Sequence, residues 1–513
     1  MRIRNIDRTA ALALVAGMLV LAWGCKNGDS PDPRLTAYPV YSSYRDIPGV
    51  SGGEIEAIEA FREQGRSFVY GMNESTESFY DEYGVIHGYS ALFCGWLSHL
   101  FGIPFTPGVY EWGDLIAGLE SGRIDFTGEL TANDERRKLY FMTDAIAERS
   151  IKFMRLMDSE PLSKTAEKRP LRYAFLEGTT THGLVSSSMT DPFETFLIDN
   201  YETAYAMLKD KTIDAFFEEG VAEAAFDAYG DVRAEDFFPL IYGEVSFSTQ
   251  NPALEPFISV VQKALHSGAA RHLISLYNQG HQEYMRHKLF TRLTEEEKAY
   301  IREHAEKGVP IAVEYDNYPV CFYNTQENEW QGIAVDVLEK IETLTGLTFT
   351  PANGRHTEWP VLMKMLEDGE VSMLSELIRS NDREHRFIWT DESYQTDYYA
   401  LLSSADFPDI SVNEILYARV GLIRDTAYAE LFLSWFPNHI KTTEYASTED
   451  AFAALERGDV DLVMATRNLL LGLTNYRELA GYKANIIFNR AFKSSFGFNR
   501  NETALRSIVD KSL

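Results

Sequence analysis

The chain opens with an apolar run from Ala10 to Trp23, preceded by Arg2, Arg4 and Arg8 and closed by Gly24-Cys25. Fourteen apolar residues are short for a membrane span and fit the core of an export signal. Beyond a polar stretch, short apolar strands alternate with helices. A short helix is predicted over roughly 53–64 and a strand at Ser67–Gly71. Tyr89–Phe101 reads as an apolar helix stopped by Gly102. Ile116-Ala-Gly-Leu-Glu-Ser-Gly-Arg-Ile-Asp-Phe126 reads as a helix end, a glycine stop and a buried strand. Arg172 to Thr180 gives strand, tight turn and helix N-terminus, and Ala204–Phe217 gives helix then strand. Glu244-Val-Ser-Phe-Ser-Thr249 and the helix Leu254–Leu265 follow, and Ser495 to Arg500 with the helix Thr503–Leu513 close the chain. Strand–helix alternation of this kind predicts an α/β fold with mostly parallel sheets.

The pattern occurs twice. Gly128-Glu-Leu-Thr-Ala-Asn-Asp-Glu-Arg136 returns 247 residues later as Ser375-Glu-Leu-Ile-Arg-Ser-Asn-Asp-Arg383. The same offset places Trp112 on Trp359, Gly122 on Gly369, Leu208 on Leu455 and Asp214 on Asp461. Upstream the offset is 244, with Gly88 on Gly332, Gly102 on Gly346 and Pro107 on Pro351, so one three-residue insertion reconciles the two. A period this long means two folded units rather than a solenoid. Between them Thr294-Glu-Glu-Glu297 is a capping box, which predicts a helical linker coupling the units semi-rigidly.

Composition narrows the function. A hydrophobic content of 45% excludes disorder, and a formal charge of −29 argues against nucleic acid and against an anionic membrane surface as partners of the protein body. No Gly-x-Ser-x-Gly, His-Glu-x-x-His, phosphate-cradling loop or Cys–His metal spacing occurs, and His281 and His287 are not placed on one helix face. An enzyme is therefore the distant reading, and no cofactor is expected. Leu21-Ala-Trp-Gly-Cys25 resembles a bacterial lipobox with Cys25 as the lipidated residue; the alternative is an uncleaved signal anchor. Cys94 and Cys321, not at matching positions, read as buried thiols.

Each repeat resembles the family 3 extracellular solute-binding proteins, with the type II periplasmic-binding-protein, or Venus-flytrap, fold. The marks run in the same order twice. They are a first strand with an aromatic loop, Gly332-x-x-x-Asp336 in the second copy, the Trp–Leu–Gly helix and Thr-x-Asn-x-x-Arg. After these come Gly-Thr opening the second lobe and Leu-x-x-x-x-x-Asp before its last strand. The linker and tandem arrangement also resemble sensory ectodomains of bacterial hybrid histidine kinases. The resemblance implies five segments: a signal peptide with lipobox (1–25), a tether and short helix (26–66), solute-binding domain 1 (67–290), a helical linker (291–309) and domain 2 (310–513). Each domain would be two α/β lobes on a hinge, crossing near Ala147–Lys152 and Leu240–Ser246, then near Thr396–Leu401 and Asn485–Phe492.

It further implies that Arg136 and Arg383 clamp a ligand carboxylate, a role suited to a planar guanidinium. Thr131, Asn133 and Ser380 would stand in the preceding turns, and Gly178-Thr179 and Thr426 would offer N–H and hydroxyl groups at a helix start. Surface arginines paired with Asp134, Glu135 or Glu384, and plain helix capping, are the alternatives. Glu219 falls where the family holds the ligand ammonium, and its counterpart is Thr466; solvated acid is its other reading. Asp425, standing where the first repeat has Gly178, is expected to repel a carboxylate, so the two pockets are expected to differ. Phe79, Tyr80, Tyr318 and Phe322 are candidates for stacking on the ligand or for the core. The expected function is binding of a small polar, amino-acid-like solute, handed to an ABC permease or read by a signalling output module. The tandem and its linker favour sensing. The end at Leu513 favours a free-standing, membrane-anchored lipoprotein.

Overall fold

The computed structural model describes residues 41–380, 382–476 and 478–513. The segment 1–25, Cys25 and the first part of the expected tether lie outside them. Two compact units divide the chain between Tyr284 and Met285. The boundary read at 290 falls inside the helix Ala270–Arg292.

In the first unit, strands Phe105–Val109, Phe68–Met72 and Phe126–Thr131 lie parallel, and Tyr242–Thr249 joins them antiparallel. This sheet packs on Tyr89–Phe101 and Glu255–Ala264 through a phenylalanine cluster. Phe68 touches Phe105, Phe126 and Phe257 with centroids 5.0–5.3 Å apart, and such pairs add about 0.5–1.5 kcal/mol each beyond area burial. The second lobe repeats the design with Phe193–Ile198, Leu171–Leu176 and Ala215–Glu219 parallel.

One long strand, Phe141–Leu156, serves both lobes. Up to Ser150 it pairs with Tyr242–Thr249, and from Ile151 it pairs with Ala215–Glu219. The change of partner falls at the crossing expected near Ala147–Lys152, and the return crosses at Ile241, whose carbonyl accepts from Ile151 N–H at 2.9 Å.

The second unit has the same plan in two separate five-stranded sheets. Phe349–Pro351, Val309–Ala312 and Met373–Leu374 run parallel in lobe one, and Thr442–Tyr445, Val420–Ile423 and Leu462–Thr466 in lobe two. Here the expected crossings are corrected. Thr396–Leu401 and Asn485–Phe492 pair with each other inside the lobe-two sheet, and the chain changes lobes at 390–394 and at 495–496. Where the ladder breaks, the amides of Asp391 and Glu392 donate to the Asp510 carboxylate, at 2.7 and 3.1 Å.

Two glycines explain the upstream repeat. Gly88 and Gly332 precede equivalent helices at φ +97° and +124°, and a Cβ on them would lie 2.5 and 2.6 Å from the carbonyl oxygens of Glu77 and Val320. The capping box at Thr294 forms as read, and Glu297 also takes Lys511 of its own unit at 2.7 Å. Cys94 and Cys321 are buried free thiols.

Candidate functional site

In each unit the carboxyl ends of the parallel strands from both lobes meet at one cleft, the usual place for a ligand in open α/β sheets. The first cleft is lined by Asn73–Ser75 after the first strand, Glu129 and Thr131 at the end of Phe126–Thr131, Thr179 and Thr180 after Leu171–Leu176, and Glu218 and Glu219 ending Ala215–Glu219. Trp112, Arg136, Arg149 and Tyr201 also line it, among others. The cleft is partly open to solvent and its cavity is about 50 Å³. One water needs about 10–15 Å³, so this is room for a few waters.

Arg136 reaches across the cleft. Its Nη1 donates to the Thr131 carbonyl at 3.1 Å in lobe one and its Nη2 to the Gly178 carbonyl at 3.3 Å in lobe two. The Trp112 ring lies 5.9 Å from its guanidinium carbon, a cation–π contact. Asn133 accepts from the Arg136 amide at 2.8 Å and so fixes the turn that aims the side chain. Among the described residues no acidic side chain lies within salt-bridge distance of Arg136.

A second arginine organises the acids. Arg149, on the crossing strand and 3% exposed, donates to Glu77 from Nε and Nη2 at 3.1 and 2.7 Å, and its Nη1 meets Glu129 and Glu219 at 2.8 Å each. Burial opposes its charge, but the three carboxylates outweigh this and raise its pKa. Glu77 and Glu129 belong to lobe one and Glu219 to lobe two, so Arg149 ties the lobes at the hinge. Burial raises the Glu129 carboxyl even so.

Glu218 stands apart. Its Oε1 accepts from Thr181 Oγ1 at 3.1 Å and from the Glu219 amide at 3.0 Å, while its Oε2 is buried with no partner. Burial, then the neighbouring Glu219, pushes this carboxyl up to about 8. At neutral pH it is mostly protonated, and a cationic group in the cleft would reverse that.

The second cleft is lined by Glu314, Asp316, Asn317, Trp359, Glu376, Arg383, Thr426, Tyr428 and Thr466, among others, around a cavity of about 50 Å³. Arg383, 1% exposed, repeats Arg136: Nη1 to the Ile378 carbonyl at 3.3 Å, Nη2 to the Asp425 carbonyl at 2.7 Å, and Trp359 stacked at 5.9 Å. Trp359 Nε1 donates to the same Asp425 carbonyl at 2.7 Å. Unlike Arg136, Arg383 also holds a carboxylate, with Nε and Nη2 donating to Glu430 Oε1 at 3.2 and 2.9 Å. Ser380 Oγ donates to the other oxygen of Glu430 at 2.8 Å. Asn317 bridges Glu314 and Glu376 at 2.8 and 2.6 Å, and burial raises both carboxyls.

The sequence-marked residues thus divide. Thr131, Arg136, Thr179 and Glu219 line the first cleft, although Arg149 already holds Glu219. Arg383 and Thr426 line the second. Gly178 takes part through its carbonyl, at φ +82°, and its counterpart Asp425 holds the same left-handed turn at +59°. The repulsion expected from Asp425 is corrected: its side chain is exposed and outside the lining, and only its carbonyl faces Arg383. Phe79 packs on His87 and Tyr284, and neither it nor the exposed Tyr80 lines the cleft. Tyr318 stacks on Tyr476 and Phe322 meets the same ring at a 60° tilt, at an adjoining recess of the second unit. Sequence reading passed over Glu77, Arg149, Glu218 and Glu430. It also passed over Glu129 and Glu376, although both stand inside the repeated Glu-Leu motif and line equivalent places.

Residues 309–513 match the model of bacterial extracellular solute-binding proteins, family 3. The sensor protein EvgS of Escherichia coli O157:H7 is 26% identical over 228 residues, which is 43% of this chain and 18% of that protein, so the match spans about a fifth of the relative's length. EvgS of strain K12 is 25% identical over the same length. Among solved structures, a VC protein superposes with a TM-score of 0.52 at 17% identity, over 87% of this chain and 98% of that one. The periplasmic domain of BvgS from B. pertussis gives 0.42 at 17% identity, over 93% and 92%. No helix of the described residues is long and apolar enough to cross a membrane. The chain therefore carries the two-lobed Venus-flytrap fold twice, and its second copy bears the sequence pattern of the family 3 extracellular solute-binding proteins.

Proposed function

We propose that the chain is an extracytoplasmic receptor whose first unit binds a small, amino-acid-like solute between its lobes. One observation carries this reading. Arg136, with no carboxylate partner among the described residues, and Glu218, with an unpartnered Oε2, line the same cleft. A solute bearing a carboxylate and a cationic group answers both. Arg136 donates charge-assisted bonds of about 1.5–3 kcal/mol each to the carboxylate. Glu218 gives up its proton and pairs with the cation, while Trp112 offers an apolar wall. Arg136 lies in lobe one and Glu218 in lobe two, so such a solute is satisfied only with the lobes together and favours the closed form.

Sensing is the preferred use of that closure. The similarity to a sensor protein supports it, and delivery to an ABC permease is the alternative, discriminated by which genes lie beside this one. Export through the segment 1–25 and anchoring by a lipid on Cys25 complete the reading. No chemistry on the solute is part of it.

The test is calorimetry of the full chain against a panel of amino acids and amines. The reading expects binding of at least one zwitterion or cationic amino acid. In Arg136→Ala that binding should weaken by about 2–5 kcal/mol, the cost of leaving a buried carboxylate unpaired. Equal affinity in wild type and variant contradicts it.

A further inference from the structure

In the second unit the arginine's carboxylate site is taken by the protein itself. Glu430 sits in the first turn of helix Ala427–Trp435 in lobe two, a favourable place for an acid. Its Oε1 receives Arg383 Nε and Nη2 and its Oε2 receives Ser380 Oγ, both partners coming from lobe one. The 247-residue offset places Glu430 on Gly183, in the first unit's helix Thr181–Ser188. Around the two arginines the rest corresponds: tryptophan contact, the carbonyl five residues before the arginine, and the left-handed carbonyl. The difference is not forced by crowding, because a Cβ built on Gly183 meets nothing within 4 Å.

We propose that Glu430 is a built-in ligand, a tethered carboxylate that holds the second unit's lobes together without solute and excludes free carboxylates from Arg383. A tethered group enjoys an effective concentration of at least millimolar order, so a weakly held free carboxylate loses the competition. It also avoids the loss of translational freedom that a free solute incurs on binding. The second unit is then closed by default, and the first is left to respond to solute. This assignment stands on the second unit's geometry alone and is independent of what the first unit binds.

Hydrogen exchange of the full chain, read in peptides covering 378–383 and 425–430, tests it with acetate and succinate as probes. In the wild type these peptides should exchange slowly and be indifferent to either probe. Glu430→Gly should speed their exchange roughly tenfold, the equilibrium factor of about one charge-assisted hydrogen bond, and acetate should restore the protection. Gly183→Glu, which adds the carboxylate where space exists, should slow exchange at 131–136 and 178–183 without solute. Unchanged exchange in Gly183→Glu, or in Glu430→Gly, overturns the proposal. So does succinate-dependent protection of the second unit in the wild type. Should Glu430→Gly unfold its lobe, faster exchange at Val420–Ile423 reveals this and Gly183→Glu decides.

Discussion

Arg149 holds Glu219 at 2.8 Å across the hinge of the first unit, and in the second unit both partners are replaced together, by Thr396 and Thr466. Losing one without the other would strand a buried charge. Arg149→Met should therefore cost the first unit about 3–5 kcal/mol, because Glu77, Glu129 and Glu219 would be left without their cation. Denaturant unfolding followed by first-unit tryptophans checks this. A cost below about 1 kcal/mol would mean the acids simply take up protons.

Glu218 makes the first unit sensitive to pH. Its folded pKa of about 8 lies above the ordinary 4.5, so the folded state prefers it protonated. Its stabilising contribution is complete below about pH 4.5 and is lost as pH rises toward 8. Glu218→Gln should flatten the first unit's stability over that window. Parallel wild-type and variant profiles from pH 4.5 to 8 would exclude the effect.

The same proton should report on the solute. Binding of a cationic group at pH 7 should release up to one proton per chain from Glu218, because the pair favours its charged form. Calorimetry in buffers of different ionisation enthalpy measures this directly, and the release should disappear in Glu218→Gln.

The helix Glu295–His304 is capped and fastened to the rest of the second unit through one acid. Glu297 closes the capping box with Thr294 and pairs with Lys511 at 2.7 Å. Thr294→Ala should cost the second unit about 1 kcal/mol. Lys511→Met should cost less, the pair being partly exposed. Shifts in the second unit's unfolding midpoint give both values.

Anchoring has its own test. Cys25→Ser should release the protein from membranes or leave it unprocessed, and fatty-acid labelling of the wild type should mark Cys25.

What the sequence made legible was what duplication had copied. Arg136 with Trp112 and Gly178 recurs as Arg383 with Trp359 and Asp425, and in both units these residues bridge the lobes through the same carbonyls. Gly88 and Gly332 recur because a side chain would strike a carbonyl there. What stayed hidden was what the copies do not share. Arg149 and Glu77 have no ionic counterparts in the second repeat, and their meeting depends on a hinge crossing that brings together positions 72 residues apart. Glu430 was invisible because its partner position is a glycine. The second unit's crossings were misplaced because its ladder is interrupted between Trp389 and Gln395, where two amides donate to the Asp510 carboxylate far along the chain.

The proposed division of labour has solute taken by the first unit and the second unit closed on its own carboxylate. The stoichiometry of solute binding to the full chain, measured by calorimetry in wild type, Arg136→Ala and Arg383→Ala, tests it most directly. One solute per chain is expected, lost in Arg136→Ala and kept in Arg383→Ala. Two solutes per chain, or loss of binding in Arg383→Ala alone, would contradict it.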